Sequence, residues 1–239
     1  MKVFRSLDGF ERGTRTVATI GTYDGVHLGH QKILGRLLST AKEVGGESLV
    51  ISFHPHPRLV LQPEDKSLRI LQSIDEKIAA LEALGIDKLL LIPFTKEFAA
   101  LDSQSFIEQV LVQTVGIHRI VIGYDHQFGR DRRGGLRDLE EAGKGHGFSV
   151  EEIPAQQIDD ANVSSTLIRK ALTAGDIETA TKFLGYDYQL AGTVVEGQKL
   201  GRTIGYPTAN IEPSDPLKLI PAIGVYLARL WIGGEPHYG

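Results

Sequence analysis

At 239 residues the chain is long enough for one large domain, or a medium domain with a smaller one, and its 41% apolar and 23% charged residues are the proportions of an ordinary globular protein. A formal net charge of −4 supplies no overall electrostatic footprint for non-specific nucleic-acid binding, so no nucleic-acid partner is expected. The absence of cysteine removes disulfides, thiolate nucleophiles and cysteine-bound zinc together, which fits an expected cytoplasmic location.

The segment Met1–Phe10 carries charges throughout and lacks the apolar core of an export signal. No run approaches the roughly 18 apolar residues of a membrane span, so no membrane partner is expected. From Thr16 to about Gly185, short β-rich runs alternate with helix-period segments, the pattern of an α/β fold with a mainly parallel sheet. Strands are expected at Thr16–Ile20, Ser48–Phe53, Lys88–Ile92, Arg119–Ile122 and Phe148–Ile153. An amphipathic helix is expected over Gln31–Val44. Ser73-Ile-Asp-Glu76 reads as a capping box that opens a helix ending at Leu84 before Gly85, and Asp102 as the cap of another through Leu111. After Gly185 the texture changes to β-rich runs, Tyr188–Val195 and Val225–Ile232, separated by Gly/Pro turns. The expected division is therefore 1–185 and 186–239, the second part being a β-rich module that about 55 residues leave incomplete.

Gly21-Thr-Tyr-Asp-Gly-Val-His-Leu-Gly-His30 lies between the first strand and its helix. Glycine-rich backbone feeding a helix N-terminus presents amide donors and partial positive charge to an anion. Thr22, Tyr23 and Asp24 belong to the same turn, and Gly21 and Gly25 allow close approach of a phosphate. His27 and His30, three apart, fall on one helix face and offer two imidazole donors to phosphoryl oxygens. The motif is no P-loop, since GxxxxGK[ST] is missing. A surface turn with two incidental histidines, or an i,i+3 metal pair, remain the alternatives for these ten residues.

Val163-Ser-Ser-Thr-Leu-Ile-Arg169 opens a helix over Leu167–Leu172, with Ser164 as N-cap. Ser165, Thr166 and Arg169 around its first turn form a second anion cradle suited to pyrophosphate, against simple capping with the arginine in water. Phe53-His-Pro-His-Pro57 follows the second strand, and its prolines fix an extended loop that either faces a flat aromatic ligand or is merely rigid. Gly123-Tyr-Asp-His-Gln-Phe-Gly129 follows the fourth strand, where Asp125 can bond a ribose or base. Arg130–Gly135 reads as a mobile solvated loop, with phosphate binding the lesser alternative. Near the end, Gly197–Asn210 is rich in backbone donors, and Thr208 and Asn210 alternate as neutral oxygen ligands of the kind that bind Mg²⁺ jointly with phosphate, unless the segment is an ordinary turn.

Taken in order, GTYDGVHLGH, FHPHP, GYDHQFG, VSSTLIR and GRTIGYPTAN resemble the bifunctional prokaryotic riboflavin kinase/FMN adenylyltransferase family, also called FAD synthetase, across essentially the whole chain. The resemblance implies a Rossmann-like nucleotidyltransferase domain making FAD from FMN and ATP, followed by a β-barrel module making FMN from riboflavin and ATP, both with Mg²⁺. It implies that His27 and His30 steady the α-phosphate and that Ser164, Ser165 and Arg169 hold the departing phosphates. Phe53, Pro55, His56, Asp125 and Phe128 are implied on the flavin side, and Lys199, Gly201, Thr208 and Asn210 at the kinase nucleotide and metal. His126 stands where the family commonly has an aromatic residue. The family's kinase module continues beyond this segment to an acidic general base, so transferase chemistry without competent kinase chemistry is expected. Transfer to a different phosphorylated acceptor, or a non-catalytic flavin or nucleotide sensor, are the rival readings.

Overall fold

The computed structural model describes residues 1–155, 163–198, 200–203, 205 and 208–239. Strands β1 (Lys2–Phe4), β2 (Val17–Ile20), β3 (Ser48–His54), β4 (Lys88–Pro93), β5 (Arg119–Gly123) and β6 (Ser149–Ile153) form a six-stranded sheet in the order β1-β4-β3-β2-β5-β6. Every pairing in it is parallel. The five expected strands are present within a residue at either end; β1, too short to show a periodicity, adds the edge.

Because successive strand residues point to opposite faces, each central strand feeds two cores. Ala18, Ile20, Leu49, Ile51, Leu90, Ile92, Ile120 and Ile122 face one cluster, and Val17, Val50, Leu89, Leu91 and Val121 face the other. The second face is covered by α1 (Leu28–Val44), through Leu34, Leu37 and Ala41, and by a later helix, Ile74–Ala83, through Leu81. Fully burying a leucine such as Leu34 or Leu37 contributes about 1.5–3 kcal/mol. The first face is covered by Phe106 with the π-helical segment Ile107–Val115, and by Leu139 of Leu136–His146. Among the described residues the α-helices are, in chain order, α1, α2 (Pro57–Leu61), α3 (Ile74–Ala83), α4 (Lys96–Ala99), α5 (Ser103–Phe106), α6 (Leu136–His146), α7 (Ser165–Thr173), α8 (Ile177–Leu184) and α9 (Leu200–Thr203).

Several local expectations change. Asp102 does cap a helix, its carboxylate accepting from Ser105 N at 2.7 Å, but the α-helix ends at Phe106 and continues in π-helical form. The stretch expected to be a mobile loop contains a 3₁₀ turn at Arg130–Arg132 and a bridge between Phe128 and Gly134. Beyond Gly185, strand begins only at β7 (Gly192–Val195), paired antiparallel with β8 (Asn210–Pro213), while β9 (Arg229–Ile232) pairs antiparallel with β10 (Glu235–Tyr238).

The C-terminal part also returns to the parallel domain. Leu217 O accepts from Ile70 N at 2.8 Å and Leu219 N donates to Ile70 O at 2.9 Å. Leu219 packs with Leu71, Ile168, Leu172 and Leu184 in a third core cluster. Lys218, buried here, donates to Glu76 Oε2 at 2.6 Å and to Leu71 O at 2.7 Å. Glu76 is simultaneously the far half of the capping box, accepting from Ser73 N at 2.8 Å. Removing one partner of such a buried pair strands the other charge. Lys218→Ala is expected to cost about 3–5 kcal/mol, read as a lower urea midpoint at unchanged slope.

Candidate active site

The strand order reverses between β2 and β5, which places a crevice beyond their carboxyl ends, where open α/β sheets bind ligands. The turn after β2 fills that position. It is conformationally demanding: Tyr23 and Val26 have φ of 47° and 33°, and Gly25 has φ of 91°. A Cβ at Gly25 would lie 2.8 Å from Leu71 Cδ1, so glycine is required there by both conformation and space. The strain is held by bonds from outside the turn, Gln31 Nε2 to Val26 O at 2.9 Å and Tyr186 Oη to Gly25 O.

His27 is the N-cap of α1, which therefore starts three residues earlier than its apolar period indicates. Its Nδ1 accepts the His30 amide at 3.3 Å, so in the neutral ring the proton sits on Nε2, which becomes a donor. The His27 and His30 rings stack at 3.6 Å with 16° between planes, and Tyr23 meets His30 edge-on at 5.0 Å. Burial pushes His27 down to about 4 and holds His30 well below the usual histidine range, with His27 adding to the effect on His30. Both are neutral hydrogen-bonding imidazoles at pH 7, at the positive end of a 17-residue helix. His30 Nδ1 is buried without a protein hydrogen-bond partner.

The Asp24 carboxylate is taken up by protein donors. It accepts from Leu71 N at 2.9 Å and Gln72 N at 3.2 Å and pairs with Arg169. Arg169 also donates through Nε to Arg69 O at 2.6 Å, so the guanidinium expected to receive pyrophosphate is engaged in tying three segments together. Ser164 caps α7 through Leu167 N at 3.3 Å, as expected, while Ser165 Oγ donates to Asp24 O at 2.8 Å and Thr166 is exposed. Gly21 N donates to Ile51 O at 3.0 Å, and Tyr23 is buried with its hydroxyl 2.7 Å from Thr19 Oγ1. Gly21, Tyr23 and Asp24 thus shape the turn from within.

Beside the turn, a cavity of about 70 Å³ is lined by Phe53, His54, Pro55, His56 and Leu59 from the end of β3 and the start of α2, and by Asp24, Gln72 and Lys77. Ile70, Ile74, Asp215 and Leu217 complete it. The FHPHP loop therefore does open onto the site, with a cis bond between His54 and Pro55. His56 caps α2 by accepting Arg58 N at 3.2 Å, and burial pushes it down to about 4. Phe128, expected to face the flavin, is instead in the core, its ring 5.5 Å from Phe106 and 5.9 Å from His126. Asp125 is exposed on the turn after β5. His126 stacks on Phe128, and burial pushes it down to about 4.

The metal-phosphate motif is the least defined. Thr208 and Asn210 are exposed, Gly201 is buried, and Lys199, Ile204, Tyr206 and Pro207 lie outside the described residues. Among the described residues no cluster of three His, Asp or Glu side chains can hold a metal ion. Sequence reasoning missed Lys77, Gln72, Tyr186 and Lys218. Lys77 alone left a signal: it occupies an apolar-face position of α3, three residues after Ile74 and four before Leu81.

Comparison with known proteins gives this geometry a family. A family model described as FAD synthetase matches residues 10–167, and one described as riboflavin kinase matches 184–239. The bifunctional riboflavin kinase/FMN adenylyltransferase of Pseudomonas fluorescens is 39% identical over 240 residues, covering 100% of this chain and 76% of that protein. The chain belongs to this family. The protein of the same description from Listeria monocytogenes is 37% identical over 223 residues, covering 93% of this chain and 70% of the relative. A solved Streptococcus pneumoniae structure described as a macrolide-efflux protein superposes with a TM-score of 0.85 at 29% identity, covering 99% of this chain and 76% of that one. Among the described residues no helix is long and apolar enough to cross a membrane.

The buried neutral histidines set an acid limit on stability. A histidine near 6.5 unfolded and about 4 folded takes up its proton first in the unfolded chain, so its contribution is complete above about 6.5 and is lost as pH falls toward 4. The urea midpoint is expected to drop between pH 7 and pH 5, and less steeply in His126→Phe. Equal slopes in the two proteins would show that His126 is not buried as a neutral ring.

Proposed function

We propose that this chain synthesises FAD by transferring the adenylyl group of ATP to FMN with release of pyrophosphate. The observation that carries the reading is the stacked, neutral His27–His30 pair at the N-terminus of α1, at the topological switch point, beside a cavity walled by Phe53, Pro55 and His56. The family assignment supports it.

In such a transfer a phosphate oxygen of FMN attacks the α-phosphorus of ATP. The bond to the β-phosphate bridging oxygen breaks, and its electron pair leaves with pyrophosphate. No proton must be removed from a phosphate dianion, so the protein's contribution is alignment and charge stabilisation. His27 Nε2–H donates to an α-phosphate oxygen without bringing a full charge into the stacked pair, and His30 supports it together with the dipole of α1. Arg169 acts chiefly by fixing Asp24, and through it the turn that aims His27; Ser165 reinforces the same turn. Mg²⁺, when bound with the nucleotide, neutralises phosphate charge. The Asp24 carboxylate, bonded to Leu71 N, Gln72 N and Arg169, would not be free to hold that ion, which would rely on phosphate oxygens and water.

The segment from 184 on is assigned to the family's second reaction, phosphorylation of riboflavin by ATP. There Thr208 and Asn210 would be the neutral oxygen donors toward a metal shared with phosphate.

The test is a chromatographic assay with ATP, Mg²⁺ and FMN, scoring FAD and pyrophosphate in equal amounts. His27→Ala is expected to lower turnover about 100-fold or more, the scale of losing an electrostatic transition-state donor. Near-normal turnover in the folded variant would remove His27 from the mechanism.

A further inference from the structure

Helix α3 buries a cation where its packing calls for hydrocarbon. Ile74, Ile78 and Leu81 of this helix join the core cluster behind the sheet, and Lys77 shares their face at 7% exposure. Its ammonium donates to Thr22 O at 2.7 Å, and it makes no ion pair among the described residues. An ammonium has three donors, and burial pushes the Lys77 pKa down, opposed only by the Asp24 carboxylate, which is itself bonded to Leu71 N, Gln72 N and Arg169. The buried ammonium sits at a particular place. Thr22 belongs to the turn that carries the histidine pair, and Lys77 also lines the cavity of Phe53, Pro55 and His56. It is the one Lys or Arg among the described residues that do so. Its charge acts on His30 and on His56, disfavouring a proton on either, so its field reaches both sides of the junction.

We infer that Lys77 is the binding group for the acceptor's phosphate, holding the FMN phosphate monoester between the flavin cavity and the histidine pair. This rests on the adenylyl-transfer reading and adds to it the residue that distinguishes a phosphorylated acceptor from an unphosphorylated one. The phosphate brings a directly bonded counter-charge, which Asp24, committed to Arg169, does not supply. The ammonium also offsets repulsion between the incoming monoester and the triphosphate. Burial lowers the Lys77 pKa and a bound phosphate dianion opposes that shift; no proton is transferred, since the new P–O–P bond forms from an oxygen that is already ionised and the leaving electron pair goes to pyrophosphate. The role of Lys77 is therefore positioning the nucleophile, with no acid–base step.

The experiment measures FAD formation by the full chain with FMN and ATP varied independently, for the wild type, Lys77→Met and Lys77→Arg, alongside thermal unfolding of each. Lys77→Met is expected to raise KM for FMN about 10-fold to 100-fold, the loss of a charge-assisted contact, with KM for ATP within about threefold. Lys77→Arg is expected to recover part of the FMN affinity. Lys77→Met is also expected to unfold at or above the wild-type temperature, because it removes an unpaired buried charge. A lower unfolding temperature with both KM values raised alike would overturn the assignment and make Lys77 a brace for Thr22. Unchanged KM for FMN in a folded Lys77→Met would overturn it too. Wild-type protein that makes no FAD would sink the adenylyl-transfer reading itself, whereas normal wild-type turnover with an unaltered variant sinks the lysine alone.

Discussion

The Asp24 carboxylate holds the site together. It is 3% exposed and accepts hydrogen bonds from two consecutive amides, Leu71 and Gln72, and from the Arg169 guanidinium. Those partners lie 47, 48 and 145 residues away, so one side chain joins the turn after β2, the connection into α3 and helix α7. The Asp24 carbonyl adds Ser165 to the same knot. A buried charge of this kind is tolerable only because every neighbour is a donor, and removing one would leave the others facing an unmet acceptor. The positive φ values at Tyr23 and Val26 are sustained within this frame, since the turn has nowhere to relax while Asp24 and Gly25 are held from outside.

From that constraint the chemistry follows. The turn fixes where α1 begins, and α1 begins with His27 in the N-cap position. Once its Nδ1 is committed to the His30 amide, the tautomer, the ring orientation and the stacked partner are all determined. Charge neutrality of the pair is a consequence of the same burial that orders it. Pre-orientation of this sort lets a donor stabilise developing phosphoryl charge without reorganising at the moment of reaction.

The parallel sheet was legible because its central strands are largely apolar runs of four to seven residues bounded by turn residues, and both faces are covered. The capping box at Ser73 and the cap at Ser164 were legible because they are local chemistry. Helix α6 was not: Gly143 and Gly145 dilute its helical pattern, yet a Cβ at Gly143 would lie 2.6 Å from Phe148 O, so glycine is there to let the helix approach β6. Residue types at the phosphate motifs were readable, but their partners were not. Nothing local says that Arg169 spends its guanidinium on Asp24 and Arg69, or that Phe128 turns into the core. Those outcomes depend on contacts 100 and 145 residues apart or on the packing of a whole layer.

Asp215 and Leu217, within the segment that matches riboflavin kinase, are part of the wall beside Phe53 and His56, and the backbone around Lys218 is hydrogen-bonded to Ile70. The line between the two family matches therefore does not coincide with the line around the cavity. A gene cut near residue 185 would separate two recognisable sequence families while leaving the first with an open flank, Leu71 without Leu219 and a buried Glu76 stripped of its cation. Here the covalent fusion is itself an architectural component. Modules swapped from distant relatives must match along this seam, and independent drift of the two halves is limited by the residues they share.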